Sequence, residues 1–279
     1  MADLSSGAEP RAKGDLLPRL GTAAVLVPFL LYMLFWGPYW LFPLVSALVA
    51  GFGAHEVAEM VAPANRLYAG YQVLVSWIIF ALVSGALPAT YLLPGIVGLV
   101  VLGMLFNLVH PEPVAGAALR VGFGVTGPLY AGALFGIIGR LFGLAHGGGW
   151  VLLAMICGFL SDTGGYFAGR AFGKHKLYPQ VSPKKTVEGS IGGLLSAIGG
   201  GIVAHFWFLQ TLGLIEAVLL CAVATALGQM GDLCESLLKR SAGVKDSGKL
   251  LPGHGGILDR SDALLFAASV IWGYVEYLR

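Results

Sequence analysis

In the run Gly228-Gln229-Met230-Gly231-Asp232-Leu233-Cys234-Glu235-Ser236-Leu237-Leu238-Lys239-Arg240, the groups Asp232, Glu235, Ser236 and Lys239 recur at i, i+3, i+4 and i+7. On a helix they fall on one face and make a polar stripe along an otherwise apolar element. A loop follows, carrying Lys245-Asp246-Ser247-Gly248 and Leu251-Pro252-Gly253-His254-Gly255-Gly256, and Asp259-Arg260-Ser261-Asp262 closes it. Glycines such as Gly255 and Gly256 let a backbone approach a ligand closely and turn N–H groups toward phosphate oxygens. Carboxylates at both ends of one loop can converge on hard cations, which take oxygen ligands and bridge substrate phosphates. The residue types point to phosphate chemistry assisted by charge neutralisation.

Two upstream segments belong with this one. Asp162, in Ser161-Asp162-Thr163-Gly164-Gly165-Tyr166, shares a helical face with Tyr166 and Gly169 at i, i+4 and i+7. A carboxylate inside an apolar span is costly unless it is paired or bound to a cation; a hydrogen-bonded packing role is the alternative. Beyond the basic run Lys174-His175-Lys176 comes Ser182-Pro183-Lys184-Lys185-Thr186. Ser182 as N-cap and Pro183 at the first position predict a helix start here. Lysines in a first turn oppose the helix dipole, a conflict that a bound anion between them and the helix end would relieve. The alternative is a topological anchor touching anionic headgroups. Glu188 is placed to orient a lysine. In the first half, His55, Glu56 and Glu59 end an apolar segment, where pairing within the bundle is the expected role.

The elements that must position these groups are membrane helices. Of 279 residues, 57% are hydrophobic and only 11% charged, with a mean hydropathy of +0.79, against about 25% charged in soluble proteins. Taking about 20 residues per span, the candidates are 19–36, 39–59, 68–87, 90–109, 119–143, 149–171, 189–209, 212–238 and 262–278. Lipid cannot satisfy exposed backbone, so an all-α polytopic protein of about nine transmembrane helices is expected. Together with the residues that immediately flank them, the tail and alternate loops hold 15 of the 17 Lys and Arg; only Arg140 and Arg279 fall outside. The positive-inside rule then puts the N-terminus and both long charged loops in the cytoplasm. The organisation is a tail at 1–18, N-terminal helices at 19–148 and a catalytic region at 149–279 with cytoplasmic loops 172–188 and 239–261. Residues 20–54, free of ionisable Asp, Glu, Lys, Arg or His, are too long for a signal-peptide core and read as a retained helical hairpin. Cys157, Cys221 and Cys234 form no paired motif and read as small buried hydrophobes. Many of the 42 glycines lie inside spans, which suits close helix packing. No internal repeat supports an inverted-repeat transporter.

The pattern Ser236-x-Leu238-Lys239-Arg240-x4-Lys245-Asp246-x-Gly248-x2-Leu251-Pro252-x-His254-Gly255-Gly256-Ile257-x-Asp259-Arg260-x-Asp262 closely resembles the signature of the phosphatidate cytidylyltransferase (CDP-diacylglycerol synthase) family. Asp162-x-x-Gly165-Tyr166 and Ser182-Pro183-Lys184-Lys185-Thr186-x-Glu188-Gly189 are similar to its other motifs, so the likeness covers about residues 155–275. Ser261 departs from the apolar residue or threonine usual there. The resemblance implies an enzyme that joins CTP and phosphatidate, with magnesium, as two divalent or mixed metal ions. It makes Asp232 and Asp259 the first metal ligands, supported by Glu235, Asp246, Asp262 and Asp162. Lys185 and Arg260 would act with the two aspartates in catalysis; Ser182, Lys184, Lys239, Arg240, Lys245, His254, Gly255 and Gly256 would hold phosphates. The implied location is the inner (cell) membrane, multi-pass, with the site facing the cytoplasm; a homodimer is possible and no nucleic acid is expected. A related enzyme acting on another lipid phosphate, a secondary transporter using Asp162, Asp232 and Glu235 as ion ligands, and a silent scaffold are the competing readings.

Overall fold

The structure, a computed structural model, describes residues 16–111, 113–248, 250 and 255–279. His254, Leu251, Pro252 and the tail before residue 16 lie outside them.

Nine helices of membrane length are present among the described residues: α1 (Leu16–Phe35), α2 (Leu41–Val61), α3 (Arg66–Ser84), α4 (Leu92–Val109), α5 (Ala117–Phe142), α6 (Gly147–Phe172), α7 (Val187–Trp207), α8 (Leu214–Ser241) and α9 (Leu258–Tyr277). Seven of them, α2 to α8, meet both the length and the hydropathy of a membrane span; α1 and α9 are 20 residues each. The chain is an all-α polytopic membrane protein. Its large exposed side chains are apolar, as on α4, where Leu93 is 71% and Met104 58% exposed. Such a surface is stable only against hydrocarbon.

Local chemistry sets the helix limits. Asn65 caps α3, its side chain accepting from the Tyr68 amide at 3.0 Å, and Gly85 ends it in the left-handed region at φ 85°. Pro128 cannot donate to the helical ladder, and α5 answers with a π-turn over Leu129–Ala133. The helix continues to Phe142, so the glycine-rich fifth span is one element. Beside Gly85, Arg140 pairs with Glu276 at 2.6 Å near the end of α9. Arg279 donates to the Thr211 carbonyl and lies 5.3 Å from the centre of the Trp150 ring. Arg140 and Arg279 thus gather at the opposite end of the bundle from the charged loops.

The helix start expected at Ser182 is not there. Ser182–Thr186 forms a strand, β2, paired antiparallel with β1 (Lys176–Tyr178); α7 begins at Val187, with Thr186 as N-cap accepting from the Gly189 amide at 3.1 Å. The proline pushes Ser182 into extended conformation. The strand keeps Lys184 and Lys185 out of a first turn and puts Glu188 there instead, matching the dipole. Glu188 accepts from the backbone amides of Lys174 (3.1 Å) and His175 (3.2 Å), and its Oε1 lies 2.7 Å from His175 Nδ1. It therefore orders the turn after α6, and among the described residues it engages no lysine ammonium.

Helices α6 to α9 form one packed group, while α2, α3 and the second half of α5 brace it and α1 leans on α6. The core runs through Trp150, Leu153, Leu265 and Ile271, each at most 2% exposed. Between α6 and α7 the contact is nearly backbone on backbone. A Cβ on Gly165 would sit 3.2 Å from the Gly189 carbonyl, and one on Gly192 would strike Ala168. Small residues permit this approach, and in lipid close packing replaces the hydrophobic drive between helices. Cys157 and Cys221 are buried as expected; Cys234 is exposed, on the outer flank of α8.

Gly192→Leu is expected to lower the thermal midpoint in detergent, because overpacking a close contact costs about 1–3 kcal/mol. Gly199→Leu, whose added Cβ meets nothing within 4 Å, is expected to leave the midpoint unchanged. Equal midpoints for the two variants would remove this account of the α6–α7 seam.

Candidate active site

The four helix ends at the charged side of the bundle enclose a cavity of about 550 Å³. Helix α6 supplies Asp162, Tyr166 and Arg170, β2 supplies Lys184 and Lys185, α7 supplies Ser190, and α8 supplies Gln229 and Asp232. Segments 47 residues apart meet across it: Lys185 Nζ donates to Asp232 Oδ2, and the Ser236 hydroxyl donates to Asp232 Oδ1 at 3.4 Å. Asp162 faces the same place from the third wall, interacting with Asp232, Lys185 and Arg260. The carboxylate in the sixth span, the basic turn and the head of the stripe form one site.

A staple beneath the cavity holds its three walls. Gln229 Nε2 donates to Ser161 Oγ at 3.1 Å and to the Ser190 carbonyl at 3.0 Å. Its Oε1 accepts from the Ser190 hydroxyl. One amide thereby links α6, α7 and α8. These three residues carried no assigned role at the level of sequence; a glutamine inside an apolar span was the available signal.

The stripe continues into a second, enclosed set of charges. Lys239 donates to Glu235 Oε2 at 3.0 Å and to Asp259 Oδ1 at 2.6 Å. Asp259 Oδ2 accepts from the Ser247 amide (2.8 Å), the Ser247 hydroxyl (3.0 Å) and the Gly256 amide (2.8 Å). Both Asp259 oxygens are therefore engaged in holding the loop, and Asp259 does not line the cavity. Glu56, 6% exposed, reaches the same loop from α2. It shares the single Ser247 hydroxyl proton with Asp259, at 2.9 Å, and accepts from the Ile257 and Leu258 amides at 2.8 and 2.9 Å. The glycines are required by these carboxylates: Gly255 has φ 83° and a Cβ there would lie 2.7 Å from Asp259 Oδ2. A Cβ on Gly256 would lie 2.5 Å from Glu56 Oε1. The amides at the start of α9, read as a phosphate cradle, are already capped by the protein's own carboxylates.

Other expected residues stand apart from the cavity. Arg240 is exposed and donates to the Val244 carbonyl at 3.2 Å; Lys245 and Asp246 are exposed on the loop surface. Asp262 is buried near the α8 stripe, its carboxyl group within hydrogen-bonding range of Glu235. Ser182 begins β2 and is partly buried.

Asp162 and Asp232 set like charges across the cavity. Like-charged carboxylates favour a cation between them. No three of the His, Cys, Asp and Glu side chains among the described residues converge into a closed metal cage. The donor set fits a hard ion held by one or two carboxylates and completed by water and substrate phosphates, which is how magnesium is usually bound.

The profile of the cytidylyltransferase family matches residues 17–278. The chain belongs to this family. Over 122 residues it is 47% identical to a phosphatidate cytidylyltransferase of Staphylococcus haemolyticus, covering 44% of this chain and 47% of that protein. Over 154 residues it is 39% identical to the phosphatidate cytidylyltransferase of Bacillus subtilis, covering 55% of this chain and 57% of that one. A Staphylococcus aureus enzyme of the same name is 44% identical over 124 residues, 44% of this chain and 47% of its own. The chain thus matches about half the length of these cytidylyltransferase relatives.

Glu56→Ala should leave the Ile257 and Leu258 amides unpaired, at about 1–3 kcal/mol for each buried donor. Limited proteolysis is expected to cut that variant between Ser241 and Leu258 faster than the parent, with a lower thermal midpoint. Unchanged cleavage would show that Glu56 does not hold the loop.

Proposed function

We propose that this chain is a phosphatidate cytidylyltransferase. It joins CTP and phosphatidate to give CDP-diacylglycerol and pyrophosphate, in phospholipid synthesis at the inner (cell) membrane, with its site toward the cytoplasm. The observation that carries this reading is the cavity in which Lys185 and Asp232 meet Asp162 and further cations at the charged end of a lipid-embedded bundle. A water-borne nucleotide reaches it past the β1–β2 turn and the loops. A lipid phosphate reaches it sideways, since α6 carries exposed Tyr166 and Phe167 on its flank.

In the reaction a phosphate oxygen of phosphatidate attacks the α-phosphorus of CTP in line. The new phosphoanhydride bond forms as the bond to the β-phosphate oxygen breaks and pyrophosphate leaves. The nucleophile is already anionic near neutral pH, so positioning and charge neutralisation dominate over general-base catalysis. Lys184 and Lys185 hold nucleotide phosphates, and Arg260, which senses Asp162 across the site, adds positive charge beside them. Asp232 and Asp162 would hold magnesium, alone or with a second cation; when bound, it neutralises the attacking and leaving oxygens. Glu235 and Asp259 fix Lys239, which keeps the loop closed on α8.

Purified protein is expected to release pyrophosphate from CTP only when phosphatidate is supplied. Asp232→Asn and Lys185→Ala should each lower turnover by about a hundredfold or more, the scale of losing one preorganised charge at the reacting centre. EDTA should stop the reaction and magnesium restore it. Phosphatidate-independent release, or near-normal turnover in Asp232→Asn, would overturn the assignment.

A further inference from the structure

Two positive groups line the cavity without a carboxylate in ion-pair range among the described residues: Lys184 and Arg170. They occupy different surroundings. Lys184 lies on β2, among the polar turns. Arg170 lies two residues before the end of α6, between Phe167 and Phe172, which are 64% and 70% exposed. Tyr166, 60% exposed one turn back, has the amphipathic ring that settles at the depth of the lipid headgroups. Arg170 is therefore the cation that a molecule arriving from the bilayer meets first, and Lys184 the one met from water.

The side chain is held at the mouth of the cavity. Arg170 Nη1 donates to the Tyr166 hydroxyl at 3.3 Å, one helical turn back. The hydroxyl accepts that bond and keeps its own proton to donate. Continuing down the same face leads to Asp162, at i−4 from Tyr166, on the wall of the cavity. The guanidinium offers a planar fork that matches two oxygens of one phosphate, and the phenol can serve a third. A terminal phosphate monoester presents three non-bridging oxygens and a charge beyond −1. The phosphodiesters of ordinary membrane lipids present two such oxygens and a charge of −1.

We propose that Arg170 and Tyr166 form the seat of the acceptor lipid's terminal phosphate, and that this pair selects a phosphate monoester over the phosphodiester headgroups of the surrounding bilayer. The assignment rests on the reaction proposed above and gives it a lipid-specific subsite distinct from the nucleotide lysines. A fork bound to one end of the lipid fixes the oxygen that must attack, so Arg170 and Tyr166 are binding residues whose loss acts on the lipid alone.

The test separates the two substrates. In mixed micelles, Arg170→Ala is expected to raise the KM for phosphatidate by about tenfold to a hundredfold, the scale of losing charge-assisted hydrogen bonds. The KM for CTP should stay within twofold, Arg170→Lys should recover part of the loss, and Tyr166→Phe should show a smaller rise of the same kind. Direct retention of labelled phosphatidate by the protein in nanodiscs of phosphatidylglycerol, measured without CTP, should fall in parallel. A rise in the CTP KM instead, or phosphatidate retention unchanged in both Arg170→Ala and Tyr166→Phe, overturns the seat. If Arg170→Ala does not fold, Tyr166→Phe carries the same decision. If the parent retains phosphatidate through Arg170 but releases no pyrophosphate, the seat stands and the proposed reaction falls.

Discussion

Lys239 is a single ammonium buried between two carboxylates from different helices, Glu235 on its own helix and Asp259 at the start of α9. Glu235 is fully buried and Lys239 is 8% exposed, so neither charge has water to fall back on. Removing one member of such a set leaves the others uncompensated, at about 3–5 kcal/mol. Everything at the charged end of the bundle hangs from this arrangement. It fixes α9 against α8, Asp259 then gathers Ser247 and Gly256, and Glu56 closes the same loop from the far side of the chain. With the loop anchored, Asp232 and Lys185 are left as the half-buried edge of the charged set, facing the cavity.

Much of this was legible in the sequence, for reasons that can be named. The i, i+3, i+4, i+7 spacing of Asp232, Glu235, Ser236 and Lys239 holds on α8 because a helix buried in lipid has no freedom to rotate its charges away. Helix order follows from the length of apolar runs, which the bilayer sets. The Ser182-Pro183 start failed because two local signals compete. A serine before proline is a good cap, but proline also drives the preceding residue into extended conformation, and a partner strand at Lys176–Tyr178 captured it. Nothing local records that partner. Glu56 was read as a bundle pair, yet its partners lie 191 to 202 residues away. Pairing at that separation leaves no spacing pattern.

The glycine-rich loop shows how a correct motif can be given a wrong physical cause. Gly255 and Gly256 suggest a backbone opened for phosphate, and in the fold their missing Cβ atoms make room for the carboxylates of Asp259 and Glu56. The positive ends of the peptide dipoles at the head of α9 are satisfied from within. The cations that line the cavity are instead carried by β2 and α6, on Lys184, Lys185 and Arg170.

The seam between α6 and α7 has a mechanical consequence. Side chains that interdigitate can yield by changing rotamer; two backbones in contact cannot. Gly165 against Gly189 and Gly192 against Ala168 turn two walls of the cavity into one stiff plate. Gln229 ties α8 to the same plate, so any widening of the chamber to admit a bulky molecule would have to come from the two-stranded turn that carries the lysines. The plate fixes the floor of the chamber in one shape.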